Sequence, residues 1–538
     1  MSTDSAKEAP PPDMLWWGWG TAERHEPLSE STRALLTRML GIDQEPELPV
    51  LPPTPPPTRL TNDAIAHLAA NVGSASVATD PASRIAHCRG KSTTDLLRIR
   101  RGDAIDAPDA VVYPDSHEQV LAVLQTCVHQ HIAVVPFGGG TSVVGGLAPE
   151  AGGFAAVIAL DLGRMDQLVA VDELSMTATC GPGIRGPRFE ELLAGHGLTL
   201  GHFPQSFEHA SLGGFAATRS SGRASTGYGR FDQMVLGVRV ATPVGTWEAG
   251  RSPASAAGPD LRQVILGSEG SFGVITQLTV AVRAAPAARR YEGWQVPDFT
   301  AGIELLRMLA TLDALPTVAR LSDEAETLVG LADATLASEQ NGGCHLLLGF
   351  EGDQDQVSTR SQLVDRHLDG ISNIQRKSGL GEGWLAHRYQ APYLRDALLD
   401  IGGFVETVET ATWWANVPTL YAAVRTAAVQ TLTAMATPPL VLCHVSHVYR
   451  TGASLYFTVL CKQAEDPVTQ WNRAKRDITD AIVAAGGSIT HHHAVGTTHR
   501  PWLDAEIGEL GVRVLTAIKH ELDPTGILNP GVLLEPGG

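Results

Sequence analysis

The chain lacks paired cysteines, basic runs and long apolar stretches. Its six cysteines (Cys88, Cys127, Cys180, Cys344, Cys443 and Cys461) are scattered through 538 residues with no C-x-x-C pair. That spacing excludes a disulfide frame and a zinc ribbon and predicts reduced thiols in a cytoplasmic protein. Basic charge is scarce: 40 Lys and Arg face 58 Asp and Glu, a net charge of −18 that excludes nucleic acid as a partner. No apolar stretch reaches the ~18 residues of a membrane-spanning helix. No basic-apolar-small pattern opens the sequence, so secretion is not expected. The ending Glu535-Pro536-Gly537-Gly538 is not a peroxisomal address. The expected location is cytoplasmic, with at most peripheral membrane contact.

Glycine is plentiful, and two glycine-rich stretches carry the chemistry. The first, Pro136-Phe137-Gly138-Gly139-Gly140-Thr141-Ser142, follows the apolar run Ile132-Ala133-Val134-Val135, which reads as a buried strand. Three successive glycines leave backbone N–H groups open to a phosphate, and Thr141 and Ser142 add hydroxyl donors. No Gly-Lys-Ser/Thr follows, so this is not a Walker loop. Val143 replaces the third glycine of a Rossmann fingerprint and no helix pattern opens there. Asp161 stands near the ~20-residue spacing of a ribose-binding acid, but without that fingerprint it is set aside. A single glycine motif is a weak signal that fits an empty turn equally well. The second stretch, Gly267-Ser268-Glu269-Gly270-Ser271-Phe272-Gly273-Val274-Ile275-Thr276, and the segment Thr218-Arg219-Ser220-Ser221-Gly222 make one shared cofactor the better reading.

Composition shifts divide the chain into four expected units. Residues 1–104 form an N-terminal arm and helical extension: a polar, Pro-rich start read as disordered over 1–13, a Trp-rich piece (Trp16, Trp17, Trp19) and a Pro-rich linker at 49–57. Tryptophans this dense in an arm more often pack on a neighbouring surface than bind ligand. Residues 105–284 alternate short β-branched runs with helix patterns and read as a cofactor-binding domain. Residues 285–500 read as a cap or substrate domain, with helices at 301–313, 416–434 and 467–485 and strands at 345–350, 440–449 and 454–460. Residues 501–538 are a C-terminal segment returning to the cofactor domain. The fold class expected is α+β, a two-subdomain cofactor domain under an α+β cap.

These segments, taken with Gly349-Phe350-Glu351-Gly352-Asp353, Tyr393-Leu394-Arg395-Asp396, Phe404-Val405-Glu406-Thr407 and His491-His492-His493, resemble the vanillyl-alcohol oxidase and p-cresol methylhydroxylase superfamily of FAD proteins. The Arg395 segment and the triple histidine are similar to its alkyldihydroxyacetonephosphate synthase branch. The resemblance implies non-covalent FAD, since no Cys or His stands in the glycine loop for a covalent link. It implies four FAD contacts: Pro136, Phe137, Gly138, Gly139, Gly140, Thr141 and Ser142; then Gln205, Ser206, Phe207, Glu208, His209, Ala210 and Ser211; then Ala217, Thr218, Arg219 and Ser220; then Glu269, Gly270, Ser271, Phe272, Gly273, Val274 and Ile275. The second stretch departs from the branch at Gln205, where the synthase has an acid.

The resemblance also implies that Arg395 binds phosphate through its planar fork, that Arg320 and Tyr456 are catalytic, and that His492 is a base with His491 and His493 positioning substrate. Each has a plainer reading: Arg395 a surface helix arginine, Tyr456 a core tyrosine with a satisfied hydroxyl, the histidines a partly exposed strand end. On a strand, His491 and His493 would share a face and His492 would oppose them. Histidine is the commonest metal ligand, but no Asp or Glu lies in the same short stretch, and no metal is expected.

The activity implied is exchange of the acyl chain of acyl-dihydroxyacetone phosphate for a fatty alcohol, FAD-dependent but without net redox change. The alternative is an FAD-linked 2-hydroxy-acid (D-lactate or glycolate type) dehydrogenase or oxidase. That branch carries Gly-Glu-His-Gly-x-Gly, and here His491-His492-His493-Ala494-Val495-Gly496 stands in its place. An inactive flavin-binding protein is a third reading, opposed by the joint presence of Arg395, Tyr456 and His492. Segment 326–343 is short and polar towards its end, which counts against membrane docking and a long-chain substrate. The expected partner is a small-molecule lipid or hydroxy acid, and the reading allows a homodimer.

Overall fold

The computed structural model describes residues 14–148, 152–331 and 342–536. The expected disorder of residues 1–13 and most of the polar part of segment 326–343 lie outside the described residues.

The run Ile132–Phe137 forms a buried strand, paired in parallel with Ala156–Asp161, which pairs in parallel with Ala110–Val112. Val77–Ala78 adds an antiparallel edge. Continuous apolar strands need cover on both faces. The helix His117–Gln130 supplies part of it, packing with Asn62–Val72 around a core that includes Val120, Leu124, Val134 and Ile158. Both helices start on side-chain caps: Ser116 accepts from the Gln119 N–H and Thr61 from the Ala64 N–H. The tail closes this sheet. The Val134 N–H donates to the Ile527 carbonyl and the Asn529 N–H to the Val134 carbonyl, each at 2.8 Å.

A second, antiparallel sheet runs in the order Leu168–Asp172, Thr177–Cys180, Val274–Ala281, Val235–Thr242, Gly245–Ala249. Its central strand begins at Val274, directly after the last glycine of the second stretch, so that stretch is anchored by a strand paired on both sides.

The third sheet is antiparallel and seven-stranded, ordered Gln375–Lys377, Ala288–Val296, Cys344–Gly352, Val318–Ser322, Leu440–Val448, Gly452–Lys462, Gly403–Trp413. The helices Phe299–Thr311, Gln354–Leu368, Val417–Ala434 and Pro467–Ala484 bury apolar stripes against it in one core. Strand alternation sends Leu455 and Phe457 into that core and Tyr456 to the other side.

The Trp-rich arm packs against the rest of the chain. The Trp19 N–H donates to Asp396, the Trp17 carbonyl accepts from Arg100, and Arg24 stacks over Tyr393 at 4.3 Å. Asp161 is also engaged internally, accepting from His87 and from the Gly163 N–H at 2.7 Å each.

Candidate active site

A cavity of about 530 Å³ opens between the two glycine stretches and the cavity-facing side of the seven-stranded sheet, within the ~300–1,000 Å³ range of small-molecule sites. Pro136 through Ser142 all line it. So do Gln205, Ser206, Ala210 and Ser211, then Ala217, Thr218 and Ser220, then Glu269, Gly270, Gly273, Val274 and Ile275. Six others turn away. Phe207 packs on Phe203 and Tyr389, Glu208 pairs with Arg24, and His209 stands edge-on to Trp19. Arg219 donates to the Leu266 and Gln263 carbonyls, and the Ser271 hydroxyl to the Val532 carbonyl. Phe272 is core.

Packing fixes the cradle. A Cβ on Gly139 would collide with the His209 carbonyl oxygen, and one on Gly270 (φ +79°) would meet Pro136 at 2.7 Å. The two loops therefore hold each other as well as lining the cavity. Glu269 accepts from the Val495 and Gly496 N–H groups, at 3.0 and 2.9 Å, and burial pushes its pKa up to about 7. It ties the cofactor side to the chain just after the histidines. Several buried donors on cavity-lining residues lack partners among the described residues: Gln205 Nε2, Ser221 Oγ and Trp19 Nε1. A glycine cradle with unused donors suits the pyrophosphate and ring-edge acceptors of FAD.

Tyr456, His492, His493 and Arg320 line the opposite wall, whereas His491 does not. The triple histidine is not a strand. Residues 491–493 form a bend, because one buried carboxylate gathers their backbone: Glu409 accepts from the N–H groups of His491 (2.6 Å), His492 (3.2 Å) and His493 (3.0 Å), and from the Thr490 hydroxyl. The segment curls around Glu409, so His492 and His493 share the cavity and His491 faces Tyr449. The expected face-sharing of His491 and His493 is corrected accordingly.

Burial opposes the charge on Glu409, but the histidine cluster and these hydrogen bonds outweigh it and hold the carboxyl well below its usual range. Burial pushes His492 down to about 3, so its imidazole is neutral. Its Nδ1 lies 3.0 Å from His491 Nδ1, and among the described residues its Nε2 has no hydrogen bond. Tyr456 stacks near-parallel with His492 (centroids 5.9 Å) and His444 (4.9 Å). Burial pushes its phenol up to about 12, so it keeps its proton.

The sequence reading missed His444, His447 and Glu326. Glu326 accepts from Arg320 at 2.7 Å and lies 3.1 Å from His444 Nδ1. Burial raises Glu326, but His444 and Arg320 overcome it and bring it to about 2. His447, His491 and His492 each bring a ring nitrogen within 4.8 Å of the others. However, His447 Nε2 donates to the Gly222 carbonyl and its Nδ1 meets the Ser446 and Ser454 hydroxyls, so neither nitrogen is free for a metal.

Arg395 lines the cavity, but its guanidinium is engaged. Nε and Nη2 meet Asp396 at 3.0 and 2.9 Å, and Nη1 donates to the Lys91 carbonyl.

Residues 108–250 match the FAD binding domain family and residues 285–533 the family FAD linked oxidases, C-terminal domain. The chain is 35% identical over 483 residues to the alkyldihydroxyacetonephosphate synthase of Dictyostelium discoideum, covering 85% of this chain and 78% of that one. It is 33% identical over 481 residues to that of Trypanosoma brucei brucei, with the same coverage. A solved alkyldihydroxyacetonephosphate synthase superposes with a TM-score of 0.82 at 30% identity, over 96% of this chain and 98% of that one. A cradle that fits FAD, a facing wall of tyrosine and histidine, and likeness along nearly the whole length agree: the chain belongs to the alkyldihydroxyacetonephosphate synthase family of FAD enzymes.

Proposed function

We propose that the protein exchanges the acyl chain of acyl-dihydroxyacetone phosphate for a fatty alcohol, releasing a fatty acid and forming an ether-lipid precursor. One observation carries the reading: a protonated Tyr456 and a neutral His492 stack beside each other on the wall facing the flavin cradle. Bound FAD supplies an electron pair sink and source beside the substrate carbon. His492 accepts the proton of the carbon beside the ketone and returns it. Tyr456 donates a hydrogen bond to the oxygen that gains charge. His493 and Arg320 border the same space, Arg320 held in place by Glu326. The bond from that carbon to the acyl oxygen breaks, the acid leaves as carboxylate, and the alcohol oxygen takes its place with loss of its proton. Electrons balance without an external acceptor.

The hydroxy-acid alternative has less support. Its metal-assisted form needs a carboxylate beside the histidines, and the one present, Glu409, is occupied by their backbone N–H groups. No helix among the described residues is long and apolar enough to cross a membrane. The reading takes contact with lipid to be peripheral and the location to be cytoplasmic. The test is product identification with acyl-dihydroxyacetone phosphate plus alcohol, beside D-lactate plus a dye acceptor. Alkyl-dihydroxyacetone phosphate is the expected product, and dye reduction by D-lactate alone would overturn the reading.

The flavin is expected to be held without a covalent bond. Purified protein should be yellow and lose its colour to the supernatant on acid precipitation, and Gly139→Ala should purify colourless because its loop cannot close on His209. Colour left in the precipitate, or a fully loaded Gly139→Ala, would contradict this.

A further inference from the structure

The exchange moves two protons, and His492 accounts for one. It takes the proton of the carbon beside the ketone and holds it until it is returned, so the hydroxyl proton of the incoming alcohol needs another acceptor. Tyr456 keeps its own proton, its phenol pushed up to about 12 by burial. Other groups on the cavity wall are committed elsewhere. Glu406 spends one carboxylate oxygen on the Thr93 N–H at 2.7 Å and the other on the Thr407 N–H at 2.9 Å. Both ring nitrogens of His447 are engaged. His493 Nδ1 stands 3.8 Å from Glu409, too far for a hydrogen bond that would orient the ring.

His444 is differently placed. The strand Leu440–Val448 buries Cys443 and Val445 in the core and turns His444 to the cavity. Its ring stacks on Tyr456, with centroids 4.9 Å apart. Its Nδ1 lies 3.1 Å from both Glu326 Oε1 and Arg320 Nη2. An arginine only donates, so Nδ1 either donates to the carboxylate or accepts from the guanidinium. The charged carboxylate, which already accepts from Arg320 at 2.7 Å, draws the proton to Nδ1. The lone pair is then on Nε2, which has no hydrogen bond among the described residues. Burial, then Arg320, hold His444 down to about 4, so the ring is neutral.

We propose that His444, oriented by Glu326, is the base that takes the hydroxyl proton of the fatty alcohol. The inference rests on the proposed exchange reaction for the identity of that substrate. As the alcohol oxygen bonds to the carbon that the carboxylate has left, its O–H bond breaks and the proton passes to Nε2 and then to water. The carboxylate departs with its bonding pair, so one carboxylate and one proton are released and no electron acceptor is needed. The alcohol oxygen becomes strongly acidic as its new bond forms, so a weak neutral base suffices. Glu326 is a positioning residue: it fixes the tautomer and the ring.

The test compares two rates on FAD-loaded protein in heavy water. Deuterium entering acyl-dihydroxyacetone phosphate at the carbon beside the ketone reports His492, and labelled alcohol entering ether reports the second proton. His444→Phe keeps the stack on Tyr456 and should lower the ratio of ether formed to deuterium gained by about 10²-fold or more. Glu326→Gln should lower the ratio less. A fluorinated alcohol, whose hydroxyl is more acidic, should recover much of the loss in His444→Phe, which a merely structural role would not produce. If His444→Phe does not fold, His444→Gln and Glu326→Gln carry the test. An unchanged ratio, a fall of both rates in step, or an equal loss with both alcohols would each overturn the base. Ether from the unsubstituted protein with an unchanged ratio in the variants would sink this inference alone, whereas deuterium gain without ether from the unsubstituted protein would sink the exchange reaction and the base with it.

Discussion

His492→Ala and Tyr456→Phe should each lower kcat by about 10²–10⁴-fold, the contribution of a positioned acid–base group, while FAD stays bound. Retention is expected because neither residue belongs to the glycine cradle; both sit on the wall made by the strand Gly452–Lys462 and the bend after Thr490. Tyr456→Phe keeps the ring stacked on His492 and His444 and removes only the hydroxyl, so its loss isolates the proton donor. The pH profile gives a second check. His492 acts as a neutral acceptor, and burial has moved its pKa down to about 3. Activity should therefore hold as pH falls through the ordinary histidine range near 6.5 and fail only in stronger acid. A midpoint at 6.5 that vanishes in His492→Ala would show a solvated histidine instead. Turnover equal to the unsubstituted enzyme would remove the residue concerned from the mechanism.

Glu409→Ala should be the most damaging substitution outside the cavity. It leaves three backbone N–H groups and the Thr490 hydroxyl buried without an acceptor, each costing about 1–3 kcal/mol in isolation. Relaxation shares that cost, and a net loss of about 3–5 kcal/mol is the expected scale for breaking a buried charge network. The thermal midpoint should fall, and kcat should fall by about 10²-fold or more, since a displacement of ~1 Å at the histidines is enough for that. Glu409→Gln keeps an acceptor and should recover much of the stability but not the full rate. Because the folded pKa lies below the unfolded one, the stability Glu409 gives is fully present above the ordinary carboxylate pKa. It is lost as pH falls through the folded value. Its contribution should therefore be flat from pH 5 to 8. A Glu409→Ala protein with an unchanged midpoint would show that the bend forms without it.

Local pattern carried the strands and helices well. The apolar run before the first glycine loop is the strand Ile132–Phe137, and the amphipathic stretch expected at 467–485 is the helix Pro467–Ala484. Pattern failed at His491–His493, where alternation presumes a ladder partner. The partner is instead a carboxylate 82 residues upstream of His491. A signal was present: Glu406 and Glu409 are the two charged residues of the largely buried strand Gly403–Trp413, and a charge in a buried strand needs a partner. Glu326, His444 and His447 were out of reach for the same reason, since each has a partner on another element of the fold. Arg395 shows the opposite case. The motif is legible, but its pairing with Asp396 and Lys91 appears only when the helix Ala391–Asp400 is docked.

The exchange reaction predicts a definite electron balance. FAD-loaded protein, acyl-dihydroxyacetone phosphate, a labelled fatty alcohol and a dye acceptor are combined, and labelled ether is counted against dye reduced. Many turnovers of labelled ether with the dye left oxidised is the predicted result. Dye reduction with no labelled ether, or ether formed only in proportion to dye reduced, would contradict it.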